Sequence, residues 1–101
     1  MKKKINVALV GSNFALKGYL PVIINNQNLN LKIICSRNIF KKKNILNLNN
    51  FFLEKKWQKV FKNYIDLIIC AVPPKLQEKI IKYNYKFKTY YYLIILYRNF
   101  I

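Results

Sequence analysis

The residues best suited to chemistry lie at the turn that follows the first apolar run. Residues 5–10 are apolar except for Asn6 and rich in β-branched side chains, and the run ends at Gly11 before apolar residues resume with helical spacing. Glycine at such a turn accepts a positive φ and allows close backbone approach, and the first amides of a helix attract anions. The pattern predicts a pyrophosphate site, although Gly11 as an ordinary turn residue explains it about equally well.

The hexapeptide at this turn is an altered Gly-x-Gly-x-x-Gly pattern. Asn13 replaces the second glycine and Leu16 the third. Asparagine adopts the left-handed conformation more readily than most residues, so the first replacement is tolerable, although its side chain crowds the pyrophosphate. Leu16 is expected to loosen the packing of helix on strand.

A second candidate position follows the next apolar run, which ends at Cys35. The next residues are Ser36 and Arg37, where an NAD-binding fold would place an acid for the ribose 2′-hydroxyl. A hydroxyl and a guanidinium suit a 2′-phosphate, which favours NADP over NAD. A solvated basic loop is the alternative in a chain so rich in lysine.

A third position is the segment CAVPPKLQ. Pro73 favours an extended Val72, and Pro74 suits the first position of a helix. The same features would also make a stiff strand-to-helix turn in any α/β domain.

These turns need strands and helices in alternation to hold them. Strands are predicted at 5–10, 29–35, within 49–53 and within 65–72. Helices are predicted from 14 to about 25, over 54–63 and from the prolines to about 85, and the polar loop 36–44 is expected to lead into a further short helix. The alternation predicts an α/β fold, a Rossmann-like open parallel sheet with flanking helices, which is incomplete.

Some details of the helices are also predicted. Pro21 should break or kink the first helix near Leu20. The side chains expected to face inward from the later helices are Trp57, Val60, Phe61, Leu76, Ile80, Ile81 and Tyr83 or Tyr85. Residues 1–86 would form the partial dinucleotide-binding domain. Residues 87–101 would be an aberrant tail with the propensity of a fifth strand.

Composition limits the remaining classes of function. The chain has 101 residues, 53% of them hydrophobic, with a net charge of +16, which predicts one folded domain. Much of the lysine is explained by A/T-rich codons, and the lysines are spread along the chain, so nucleic acid is an unlikely partner. A small intact basic protein that binds nucleic acid or an anionic surface, with tyrosines for stacking, is the alternative, and assembly through a tyrosine-rich strand edge is a third.

Metal and membrane sites are not expected. Cys35 and Cys70 form no Cys-x-x-Cys pair and the chain has no histidine, so we expect no metal and reduced, buried thiols in a cytoplasmic protein. The apolar runs are too short to span a membrane.

With these features in view, the chain resembles the amino-terminal domain of the Gfo/Idh/MocA oxidoreductases over roughly residues 4–85. VALVGSNFALKGYLPVI resembles the family's first strand, glycine turn and helix, and IICSRN its second-strand segment. IDLIICAVPPKLQ resembles the strand that ends in prolines. The single residues at matching places are Trp57, Asp66, Pro73, Pro74 and Gln77.

The resemblance implies a cofactor, NADP or NAD, and a set of contacts. Residues facing the pyrophosphate would be Gly11, Ser12, Asn13 and Phe14; those facing the adenosine ribose, Ser36 and Arg37; and those on the nicotinamide side, Ala71, Val72, Pro73, Pro74 and Gln77. A sugar-like substrate would bind to a second domain of a full-length relative.

Departures from the family limit the expected activity. In the family the fifth strand should end in Glu-Lys-Pro, which this sequence lacks, and we expect the family's substrate domain to be missing as well. We therefore expect a truncated or frame-shifted fragment, inactive alone, with no catalytic residue. Asp66 should lie at a strand start away from the ligand crevice, and Glu54 and Glu78 should be solvated helix residues.

Overall fold

The computed structural model describes residues 4–11, 13–36, 51–87 and 92–95. Their elements, in chain order, are β1 (Ile5–Gly11), α1 (Asn13–Asn25), β2 (Leu29–Cys35), β3 (Phe52–Glu54), a 3-10 helix (Trp57–Val60), β4 (Leu67–Ala71), α2 (Pro74–Phe87) and β5 (Tyr92–Ile95). The short helix expected after the loop 36–44 lies outside the described residues.

The described strands form one parallel sheet in the order β3-β2-β1-β4-β5. The chain starts at the centre of the sheet, moves outward to β3 and then returns to the other side of β1. This arrangement with flanking helices confirms the predicted α/β, Rossmann-like fold. It also places the topological switch point, where ligands bind in open parallel sheets, beside the carboxyl end of β1.

The core has two layers because both faces of the sheet are covered. On one face Leu20 and Ile23 of α1 pack on Leu9 and Ile34. The opposite face packs against the 3-10 helix and α2, and its buried residues are Ala8, Val10, Ile33, Cys35, Val60, Ile65, Ile68, Cys70, Val72 and Ile80. Burial on both faces explains why β4, and β1 from Val7 onward, are continuous apolar runs rather than alternating ones.

Pro21 does not break α1, so the predicted break near Leu20 is absent; the alternative prediction of a kink is not tested. The helix continues to Asn25 as one element, with Pro21 inside it. Pro21 is exposed, whereas Leu20 and Ile23 are buried against the sheet. We infer that packing of these side chains outweighs the local cost of the missing amide.

The helix predicted over 54–63 is reduced to the single 3-10 turn Trp57–Val60. Glu54 belongs to β3, and Phe61 leaves the helical conformation at φ −81° and ψ 71°. The predicted inward face is nonetheless present, since Val60 is buried and the Trp57 ring meets the Tyr83 ring edge-on at 5.1 Å between centroids.

The inward face of α2 is narrower than predicted. Ile80 is fully buried and Leu76 packs against the core, but Ile81 is 45% exposed and Tyr85 is 85% exposed. Tyr83 is the inward-facing tyrosine of the predicted pair, because it packs against Trp57 and Phe61.

The tail does contain a strand. Residues Tyr92–Ile95 pair in parallel with β4, in the segment for which a fifth strand was expected. None of the helices in the described part of the chain combines the length and the apolar character needed to cross a membrane.

Candidate functional site at the carboxyl edge of the sheet

Three adjacent strands bring their carboxyl ends together at one edge of the sheet. Val10 is in register with both Cys35 of β2 and Cys70 of β4, and Gly11 is in register with Ala71. Helix α1 begins at Asn13, two residues after β1 ends, so its first turn lies at this edge. The first turn carries no acidic residue, so no side-chain carboxylate of that turn neutralises the partial positive charge of its amides. These amides can therefore attract an anion.

The predicted pyrophosphate segment falls on the turn between β1 and α1. Gly11 is buried as the last residue of β1, and Asn13 and Phe14 belong to the first turn of α1. Ser12 lies outside the described residues. The backbone thus provides a strand-to-helix turn with glycine at its start, as the sequence predicted.

The end of β2 is tied to β3. The backbone N–H of Ser36 donates to the carbonyl of Glu54 at 3.1 Å, and the Ser36 residue is buried with 6% exposure. That amide is therefore already paired, and any contact from Ser36 to a ribose would come through its hydroxyl. Arg37 lies outside the described residues.

Glu54 was not expected at this edge. It ends β3 in register with Cys35 rather than lying on a helix, and it is half-buried. Its negative charge contributes to the raised pKa of Cys35. The signal in the sequence was the run Phe51-Phe52-Leu53 immediately before it, which forms the strand that carries Glu54 to the edge.

The turn between β4 and α2 is built on two prolines. The Pro73 carbonyl accepts hydrogen bonds from the amides of Leu76 (3.1 Å) and Gln77 (3.0 Å), so Pro73 caps the helix. Pro74 is the first helical residue, as predicted, where its missing N–H has no cost.

Gln77 folds back onto this turn. Its Nε2 donates to the carbonyl of Val72 at 2.9 Å, and both residues are buried, at 9% and 8% exposure. The amide therefore holds the end of β4 against the first turn of α2. This is a positioning role, in addition to the nicotinamide-side contact implied by the resemblance.

The two thiols lie one layer below this edge and are not poised for reaction. Burial raises the pKa of Cys35 to about 12, with a smaller contribution from Glu54. Burial likewise raises the pKa of Cys70 to about 12, with a smaller contribution from Cys35. Both thiols are free, protonated and non-nucleophilic near neutral pH.

The other two carboxylates lie away from the candidate site. Asp66 precedes β4 at the amino edge, where its Oδ2 accepts the Asn6 amide at 2.9 Å, as its predicted place at a strand start implies. Glu78 pairs with Lys82 at 3.0 Å on the exposed side of α2. Within the described ranges, the acids, cysteines and histidines form no cluster that could hold a metal ion.

Comparison with known proteins supports the fold without naming a family. No family model matches the chain, and no curated protein matches its sequence. Two crystal structures, each of a "putative oxidoreductase", are similar to it. The one from Magnetospirillum magnetotacticum MS-1 has a TM-score of 0.77 and 19% identity over 92% of this chain. The one from Klebsiella pneumoniae has a TM-score of 0.58 and 18% identity over 93%.

Both similar chains are much longer. This chain spans 29% of the first and 35% of the second, or about a third of their length. The similarity therefore concerns one part of each longer protein, and identities of this size carry the fold alone.

Proposed function

We propose that this chain is the dinucleotide-binding part of an oxidoreductase of the Gfo/Idh/MocA type, and that it binds NADP or NAD but is inactive alone. The observation that supports this most is the glycine turn at the switch point of a parallel sheet. Gly11 ends the central strand, β2 and β4 flank it, and α1 starts immediately beyond.

The residues at the edge are chemically suited to a dinucleotide. Gly11 and the first amides of α1 would receive the pyrophosphate, whose charge the uncompensated helix terminus favours. Ser36 and Arg37 would contact the adenosine ribose. The segment from Ala71 to Pro74, held by Gln77, would border the nicotinamide.

Hydride transfer would need more than this chain. A bound nicotinamide supplies the hydride chemistry, but the reaction also requires a positioned substrate and a partner for the proton. Among the described residues, Asp66 is engaged at the opposite edge and both thiols are protonated. A second domain, which would bind a sugar-like substrate, would have to contribute the proton-transfer group.

The two glycines of the chain provide a matched test. The purified chain is titrated with NADPH and with NADH by calorimetry. Gly11→Ala should weaken binding about tenfold or more, because a methyl group obstructs close approach of the pyrophosphate. Gly18→Ala is the control, since nothing lies within 4 Å of the position of its added Cβ. It should leave affinity unchanged and stabilise the chain by about 0.5–1 kcal/mol.

Two outcomes would count against the proposal. One is a folded chain that binds neither nucleotide at millimolar concentration. The other is equal affinity for the Gly11→Ala and Gly18→Ala variants with both folded, as judged by circular dichroism.

The choice between cofactors is tested separately. Arg37→Asp should lower the ratio of NADPH to NADH affinity, because it replaces a cation with an anion beside the 2′-phosphate. Glu54→Gln should raise the ratio, since it removes negative charge from the neighbouring strand end. An unchanged ratio in both variants would remove the 2′-phosphate assignment and leave the pyrophosphate assignment intact.

A further inference from the structure

Four lysines line one side of α2. They are spaced at intervals of four, three and four residues: Lys75, Lys79, Lys82 and Lys86. At 100° per residue they fall within an arc of about 60°, and they span about 16 Å of helix. All four are exposed. The lysines are therefore not simply dispersed, as the linear sequence suggested, and we call these four the α2 stripe.

The positive charge of the stripe is only partly neutralised. The chain has three acidic residues in total. Glu78 forms an ion pair with Lys82, whereas Asp66 is hydrogen-bonded at the amino edge and Glu54 ends β3. The acids of this chain therefore offset one charge of the stripe, which leaves Lys75, Lys79 and Lys86 as a row of cations.

An aromatic ring lies beside the stripe. Tyr85 is 85% exposed, and Ile81, one turn earlier, is 45% exposed. Proteins bind single-stranded nucleic acid with this combination of groups. The bases stack on aromatic rings, and the phosphates pair with regularly spaced lysines.

A lipid surface fits this helix less well. An interfacial helix inserts its apolar face into the bilayer. Here that face is already used, because Ile80 is fully buried and Leu76 packs on the core. A second copy of the chain is disfavoured by repulsion between like charges.

We propose that the exposed face of α2 binds single-stranded nucleic acid, with phosphates along Lys75, Lys79 and Lys86 and a base stacked on Tyr85. The stripe begins at Lys75, next to the proposed nicotinamide-side residue Pro74, and extends away from the dinucleotide site along α2. The proposal does not depend on that site. A failure of NADPH binding would leave it standing.

The test compares two variants with the same net charge. The stripe variant is Lys75→Gln/Lys79→Gln/Lys86→Gln, which keeps the paired Lys82. The control is Lys4→Gln/Lys17→Gln/Lys56→Gln, three exposed lysines outside α2. Binding of a fluorescein-labelled oligothymidylate is measured by anisotropy over a range of salt concentrations, and folding is checked by circular dichroism.

The expected result is a change in salt dependence. A single strand contributes a slope of about −0.7 per phosphate contact to the plot of log affinity against log salt, so the stripe variant should lose about 2 units of slope. The control should lose much less. Tyr85→Leu should weaken binding about tenfold with the slope unchanged, because stacking is lost while the ionic contacts remain.

Three results would overturn the proposal. Equal losses in the stripe variant and the control would show a response to net charge alone. Full affinity of the Tyr85→Leu variant for the oligonucleotide would contradict the proposal that a base stacks on Tyr85. Tighter binding to phosphatidylserine vesicles than to the oligonucleotide at the same salt would assign the stripe to a lipid surface.

Discussion

The two ends of the central strands differ in how their polar groups are used. At the amino edge, side chains of Asn6, Asn30 and Asp66 form hydrogen bonds with one another or with the backbone. At the carboxyl edge, a buried glycine and the start of α1 present backbone groups. The comparison indicates that side-chain hydrogen bonds hold the strands in register at the amino edge, whereas the carboxyl edge is where we propose that a ligand binds.

The amino edge is centred on Asn6. Its amide donates to Asp66 Oδ2 at 2.9 Å, and its carbonyl accepts the Asp66 amide at 2.9 Å. Its side-chain nitrogen donates to the Tyr64 carbonyl at 2.8 Å, and its side-chain oxygen accepts from Asn30 at 3.1 Å. These bonds join β1, β2 and the segment before β4.

The largest expected effect concerns the thiols just below the carboxyl edge. The pKa of each is about 12, against an ordinary value of 9.0, so the folded chain holds their protons more tightly than the unfolded chain. Their stabilising contribution is complete below pH 9 and is lost as the pH rises toward 12. Between pH 8 and 11 the loss should be about 2–3 kcal/mol per thiol.

The measurement is urea unfolding at both pH values for the native chain and for Cys35→Ala/Cys70→Ala. Tyrosines and lysines titrate in both proteins. The difference between the two proteins in the change of unfolding free energy with pH therefore reports the thiols. Equal pH dependence would mean that the thiols are not in the dry layer that the structure assigns to them.

The next largest effect is expected at the amino edge. Asp66→Ala removes the acceptor of the Asn6 amide, which is partly buried, and should lower the free energy of unfolding by about 2–3 kcal/mol. NADPH affinity at a temperature where the variant is folded should not change, because Asp66 lies at the opposite edge. A loss of affinity without loss of stability would contradict the division between the two edges.

The sequence predicted the strands more accurately than it predicted the segments that connect them. Continuous apolar runs such as the one within 65–72 are typical of strands buried on both faces, and β4 lies within it. A strand was also predicted at 29–35, and β2 has these bounds. The prediction of a helix over 54–63 was wrong for most of the segment, because its apolar spacing fits a long helix as well as it fits a strand end followed by one short turn. Its outcome was decided by pairing of Glu54 with the distant Cys35 in the sheet, which local spacing does not report.

The same limit applies to the sites. Gly11 could be placed because a glycine between an apolar run and a helix has a local signature. The role of Asn6 could not, because it is one of 14 asparagines and its partners lie 24 to 60 residues away. The α2 stripe could be recognised only after the structure gave the bounds of the helix, because the angular positions of the lysines follow from those bounds.

A smaller effect on stability is expected at the carboxyl edge, where the Gln77 side chain is hydrogen-bonded to the turn between β4 and α2. Gln77→Leu removes the donor to the Val72 carbonyl, which should cost about 1 kcal/mol of stability because the new side chain is apolar and similar in size. Since the bond holds the turn, NADPH affinity should also fall severalfold. Thermal unfolding and calorimetry on the same samples give both values. Gln77→Glu keeps the shape but places a carboxylate oxygen against the Val72 carbonyl, so it should cost more stability than Gln77→Leu.

The smallest effect is expected where a carboxylate faces solvent. Glu78→Gln breaks an ion pair with Lys82 in which the side chains are 66% and 75% exposed, so solvent screening should limit the cost to about 0.5 kcal/mol or less. Both this change and Asp66→Ala remove one negative charge, so net charge cannot explain a difference between them. Urea unfolding at low and moderate salt measures it. A cost for Glu78→Gln as large as that for Asp66→Ala would mean that overall charge, rather than the hydrogen bonds of the amino edge, holds the fold together.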